Sequence, residues 1–131
     1  MSDELKCKIV IFGESQVGKT SIIKRYLGYE FDEEIISTVG LENEKKIINI
    51  GNKKVKIIFW DTAGQERFRS IIKAAYTNLD IAIFAFDLTN METLKAIIDY
   101  WYNEVEINSS CTSKGKNKFK FFYIFSYWTF W

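Results

Sequence analysis

The chain has 131 residues, the length of one domain, and 47% of them are hydrophobic, enough for a packed core. Its 18 basic and 17 acidic residues leave a formal charge of +1, without the basic excess of a protein that grips a nucleic-acid backbone. There is no histidine, and neither cysteine, Cys7 nor Cys111, sits in a metal-ligand cluster, so a zinc centre and a histidine base are excluded.

Residues 1–8 are charged and lack the apolar run of a signal peptide, which points to a reduced, cytoplasmic setting. No apolar stretch reaches membrane-spanning length. Prenylation needs a cysteine at the extreme C-terminus, and Cys111 lies 20 residues from the end, so no lipid anchor is expected in this chain. A monomer is expected.

Leu5 to Phe12 reads as a first strand, nearly continuous and apolar from Ile9, as in a sheet covered on both faces. Gly13 to Gly18 is a turn, and Lys19 to Leu27 reads as a helix that Gly28 can close. Phe31 to Gly40 has no period and reads as loop. Asn43–Ile50 and Lys53–Trp60 read as two strands joined across Gly51-Asn52, the first suited to an edge. Thr62 to Ser70 is loop-like, and Ile71 to Tyr76 reads as helical. Ile81 to Phe86 reads as another central strand. Thr89-Asn90 can cap a helix from Thr93 to Ile107, with Leu94, Ile97, Ile98, Trp101 and Val105 as its apolar stripe. Beyond residue 108 the composition turns polar and lysine-containing, and from Phe119 to Trp131 it turns aromatic. Alternating strands and helices make an α/β domain with a mostly parallel sheet and one antiparallel edge strand. Ligands of such sheets gather beyond the carboxyl ends of the strands.

Gly13-Glu14-Ser15-Gln16-Val17-Gly18-Lys19-Thr20 matches the full G-x-x-x-x-G-K-[ST] pattern between a strand and a helix. The glycines let the backbone aim N–H groups at phosphate oxygens, and the helix start adds its positive end. Lys19 is expected to reach the outer phosphates and Thr20 to offer a hydroxyl to Mg²⁺. Asp61, at the end of an apolar strand, is the acid such a site needs for the metal. The N–H of Gly64 can approach a terminal phosphate, and Gln65 can orient a water but cannot act as a strong base. Thr38, in an irregular loop, is a further candidate Mg²⁺ ligand.

Trp60-Asp61-Thr62-Ala63-Gly64-Gln65-Glu66-Arg67-Phe68-Arg69-Ser70-Ile71 resembles the second switch of Rab-type small GTPases almost letter for letter. Ile36-Ser37-Thr38-Val39-Gly40 resembles their first switch, with Thr38 at the magnesium-ligating position 19 residues after Lys19. Phe31 falls where the family packs an aromatic residue near the guanine base, and Phe84-Ala85-Phe86-Asp87-Leu88-Thr89-Asn90 resembles the following strand and turn. The resemblance covers residues 5–108 and implies a P-loop small GTPase fold, incomplete at its C-terminus. It implies GTP or GDP with Mg²⁺ as ligands, hydrolysis with Gln65 as the catalytic residue, and a switch in vesicle traffic on the cytosolic face of endomembranes. Effectors, exchange factors and GTPase-activating proteins are the partners it implies.

Two departures limit that expectation. Leu41-Glu42-Asn43-Glu44 replaces the aspartate and aromatic residue usual after the first switch. Asn117-Lys118-Phe119-Lys120 begins like the family's guanine-reading N-K-x-D run but ends in a cation, which cannot accept the hydrogen bonds that the base donates. Lys118-Phe119-Lys120-Phe121-Phe122 instead reads as the start of the next strand. The expected organisation is a Rab-like GTP-binding domain over residues 1–108, a polar loop over 109–118 and a divergent aromatic tail over 119–131. The alternatives are a truncated relative that binds nucleotide weakly or not at all, and a non-catalytic effector-binding module.

Overall fold

The computed structural model describes residues 4–30, 41–62, 71–110 and 120–126. Its strands are β1 (Leu5–Phe12), β2 (Leu41–Ile50), β3 (Lys53–Thr62), β4 (Ile81–Asp87) and β5 (Lys120–Ser126). They form one sheet in the order β2-β3-β1-β4-β5. β1 runs parallel to β3 and β4, β4 runs parallel to β5, and only β2 is antiparallel to its neighbour. The expected mixed sheet is therefore present, with its antiparallel strand at one edge.

The strands follow from the apolar runs, because a continuous β-branched and aromatic stretch suits a pleated surface packed on both sides. In β1 the odd residues Ile9 and Ile11 join a cluster with Val17, Ile23, Ile57, Phe59 and Ala85. The even residues Val10 and Phe12 join another with Ala75, Tyr76, Ala82, Phe84, Ile97, Trp101 and Val105. That alternation gives the sheet two separately filled faces. Helix α1 (Lys19–Leu27) contributes Ile23 to the first cluster. The second lies under a continuous helix built of α2 (Met91–Ala96), a π turn (Ile97–Trp101) and α3 (Tyr102–Ser110).

Two turns fall where the glycines announced them. Gly28 closes α1 at φ 95° and donates its N–H to the carbonyls of Arg25 and Lys24. Gly51 occupies the hairpin between β2 and β3.

Other boundaries differ from the sequence reading. β2 starts at Leu41 rather than Asn43, and β3 runs on through Asp61 to Thr62 instead of stopping at Trp60. The ladder pairs Leu41 with Thr62 and Glu42 with Asp61, while Asp61 also pairs with Ile11 of β1. Asp61 and Thr62 are polar but tolerated there because their side chains are engaged; Thr62 Oγ1 donates to the Ile11 carbonyl at 2.6 Å. The segment Ile71–Tyr76 is helical as expected, but as a 3₁₀ helix. β5 extends well beyond the expected start, reaching Ser126 in an unbroken register opposite Ile81–Asp87.

The largest change is in the helix that starts with α2. It begins at Met91, ends at Ser110 and contains the π turn, which periodicity did not indicate. Thr93, Ile97, Trp101, Val105 and Ser109 are all buried, at a strict four-residue spacing. On a regular α-helix such a row drifts sideways by about 40° per step. The wider π turn winds part of the drift back. Ile98, expected in the stripe, is 63% exposed.

Candidate functional site

The carboxyl ends of β1, β3 and β4 converge at Phe12, Thr62 and Asp87. The loop of residues 13–18 leaves β1 at this edge. Gly13 has φ 149°, and a Cβ there would stand 2.3 Å from the Ala85 carbonyl oxygen, so no other residue fits without moving β4. Val17 is buried in the cluster under α1, which leaves only its main chain for a ligand. Gln16 is exposed at φ 65°, a left-handed conformation that costs a non-glycine residue about 1–2 kcal/mol. The loop closes at Gly18, whose carbonyl accepts from Ile22 N at 2.9 Å to start α1. Its N-cap residue, Gly18, offers no side chain to cap the helix start. The positive end of α1 faces the loop.

Lys19 is only 5% exposed and donates through Nζ to the Glu14 carbonyl at 2.6 Å. Burial pushes its pKa down to about 8, against the opposing pull of Asp61 and, after it, Glu14. An ammonium buried on a neutral carbonyl is poorly compensated, and an anion beside it removes the penalty. Thr20 Oγ1 donates to Asp61 Oδ2, which brings the hydroxyl and the acid to one point although 41 residues separate them. Asp61 is itself buried. A hydroxyl and a carboxylate side by side suit Mg²⁺, which takes few protein oxygens and fills its shell with phosphate and water. Among the described residues no group of three or more His, Cys, Asp or Glu could hold a metal by itself. The donor set thus fits a metal carried in with phosphates, not one caged by protein.

A model of the Ras family matches residues 8–118. The chain belongs to the Ras family. Its fold is the P-loop, Ras-type α/β fold. Among curated relatives, Ras-related protein Rab-19 of Homo sapiens is 39% identical over 99 residues, covering 76% of this chain and 45% of that protein. Ras-related protein RABC2a of Arabidopsis thaliana is 35% identical over 107 residues, 82% of this chain and 50% of that protein. Ras-related protein RabJ of Dictyostelium discoideum is 37% identical over 108 residues, 82% of this chain and 42% of that protein. The chain spans about half the length of the curated relatives it matches.

In this Ras-family chain the structure unites Gly13, Glu14, Gly18, Lys19, Thr20 and Asp61, all of them site residues expected from sequence. Thr38, Gly64, Gln65, Phe31, the first-switch residues Ile36–Gly40 and the second-switch residues Glu66, Arg67 and Phe68 lie outside the described residues. Asn117 and Lys118 lie outside them too. β5 begins at Lys120, opposite Ile81 at the amino end of β4.

Two contacts escaped the sequence reading. Glu14 does more than lend its backbone: its Oε1 accepts from Trp101 Nε1 at 2.9 Å. The spacing of Trp101 fits the buried stripe of the helix equally well. Below Asp87, Thr93 Oγ1 accepts from Asp87 N at 2.9 Å and donates to the Asn90 carbonyl at 2.7 Å. Asp87 Oδ1 in turn accepts from both N and Oγ1 of Thr89. These bonds fix the turn after β4.

No helix among the described residues is long and apolar enough to cross a membrane.

Proposed function

We propose that this chain is a Rab-type nucleotide-binding unit that holds the phosphates and Mg²⁺ of GTP or GDP and reads the base weakly. The observation that carries the reading is the buried Lys19, whose pKa burial lowers to about 8, at the glycine start of α1 beside the Thr20–Asp61 pair. Lys19 leaves the Glu14 carbonyl for the outer phosphates and regains a firm charge there. Thr20 and Asp61 hold the metal, which neutralises phosphate charge when bound. Gln65, three residues after β3 ends, orients the attacking water for hydrolysis. Likeness to Rab-type relatives supports a switch role in vesicle traffic on the cytosolic face of endomembranes, with effectors, exchange factors and GTPase-activating proteins as partners.

Weak base reading rests on the sequence: the Asn117-Lys118-Phe119-Lys120 run ends in a cation where a carboxylate would accept from the base. Losing one charge-assisted hydrogen bond to the base costs about 1.5–3 kcal/mol, or roughly a factor of ten or more. Calorimetric titration with GTP and ATP in Mg²⁺ tests the proposal. GTP and ATP are expected to bind within roughly tenfold of each other, and Lys19→Ala to weaken both by at least about a hundredfold. Undiminished binding by Lys19→Ala would overturn the phosphate role. Exclusion of ATP by a hundredfold or more would overturn the weak base reading.

A further inference from the structure

The bond from Trp101 to Glu14 joins residues 87 apart in sequence. Its donor is fully buried and cannot wander. The indole stands 6.0 Å from the Phe12 ring and 4.9 Å from Tyr100, the latter edge to face. Trp101 ends the π turn, a local widening that recurs at functional sites. Its acceptor is half-buried and belongs to the phosphate loop. A carboxylate is an odd occupant of a loop built to gather anions, because a fixed negative charge there repels phosphate. The same residue also sets where Lys19 rests, through its carbonyl.

We propose that Trp101 is a positioning residue for phosphate binding: its indole N–H holds the Glu14 carboxylate aside from the anions that the loop gathers. The proposal rests on the nucleotide reading above. Trp101 touches no phosphate in it and acts only through Glu14. Since the donor is locked by aromatic packing, the carboxylate has one fixed place. Without the donor the carboxylate loses that tether and can shift toward the phosphates.

Calorimetric titration of GDP with Mg²⁺ on wild type, Trp101→Phe, Glu14→Gln and the double variant tests this. Trp101→Phe keeps an aromatic ring and loses the donor, and is expected to weaken GDP by about tenfold, less at high salt. In the Glu14→Gln background, with no charge to misplace, the same substitution is expected to change affinity by less than about twofold. An equal loss in both backgrounds assigns the effect to packing and overturns the role, as does an unchanged affinity of Trp101→Phe. If Trp101→Phe fails to fold, wild-type protein labelled with ¹⁵N-tryptophan carries the test. Its Trp101 indole signal is expected to keep its hydrogen-bonded position when GDP saturates. A move to the position of an unbonded indole overturns the role. A wild type that leaves GDP unbound overturns the nucleotide reading itself, and this role with it, before any substitution is made.

Discussion

The two faces of the sheet are packed from the same strands with different chemistry. On the α1 side the buried residues described are mostly aliphatic: Ile9, Ile11, Val17, Ile23 and Ile57, with Phe59 the one ring among them, met edge to face by the exposed Tyr26. On the other side rings meet rings. Phe12 stacks on Tyr76 at 5.5 Å and lies 6.0 Å from both Phe84 and Trp101. The buried charge of Lys19 belongs to the first residue of α1, on the aliphatic side. The difference teaches where each task is placed. Branched aliphatic residues line the side that must accept a charged loop, while planar rings with few torsions make the other side a stiff backing. One hydrogen bond, Trp101 to Glu14, ties the stiff side to the loop.

Adjacent residues of β1 give the largest test of that contrast. Phe12 and Ile11 are both essentially inaccessible, but they point to opposite faces. Phe12→Ala removes a ring that touches three others and is expected to cost about 4–5 kcal/mol. Ile11→Ala opens a smaller cavity among branched neighbours and is expected to cost about 3 kcal/mol. Denaturant unfolding of both variants measures the two values. If Ile11→Ala proves the more costly, the aromatic side is not the stiffer one and the comparison breaks.

A smaller effect comes from the buried charge itself. In the folded chain, free of nucleotide and with Mg²⁺ chelated, Lys19 gives up its proton near pH 8. In the unfolded chain it keeps the proton to about pH 10.4. Below both values the lysine is charged in both states and its burial penalty is fully present. Between them the unfolded state binds more protons, so stability rises with pH; above both it levels off. Relative to Lys19→Met, the wild type is expected to gain on the order of 2–3 kcal/mol between about pH 8 and about pH 10.4. Unfolding by denaturant at several pH values reads the difference directly. A flat difference across that window would mean that Lys19 is not a strained charge, and the aliphatic side would lose its distinguishing feature.

How far the sequence reveals these features depends on their range along the chain. The strands β1 and β4, the Gly28 helix end, the Gly51 hairpin and the phosphate loop were all legible because each is written in neighbouring residues. Asp61 was legible as an acid at the end of an apolar run, although it sits within β3 and not after it. The Trp101–Glu14 bond was not legible: nothing near Trp101 distinguishes a core indole from one with a distant carboxylate to hold. The π turn was hidden for a related reason. Ile97 and Ile98 are alike as residues, and only packing against the sheet decides that the first is buried and the second exposed. β5 was underestimated because its aromatic run lacks alternation, and its register comes from the edge that β4 offers.

The smallest expected effect separates the two helix starts. α1 begins at Gly18 with no side-chain cap, whereas Asn90 caps α2 by accepting from Glu92 N at 3.2 Å. Glu92 adds a favourable charge in the first turn, and the Thr93 hydroxyl bonds to the Asn90 carbonyl. One start is capped by its own side chain, and the other begins at a glycine that has none to offer. Asn90→Ala is expected to cost about 1 kcal/mol, and Asn90→Gly only a few tenths, because glycine exposes the freed N–H groups to water. The site reading adds a sharper condition. The bonds of the cap run to Glu92 and Thr93 within its own turn, so the Asn90→Ala loss should be the same with and without saturating GDP. GDP itself should raise the unfolding midpoint of the wild type by binding the folded state alone. Denaturation of wild type and Asn90→Ala, each with and without GDP, gives all four values. If GDP erases the Asn90→Ala loss, the two helix starts are energetically coupled, and the separation of a side-chain-capped start from a glycine start does not hold.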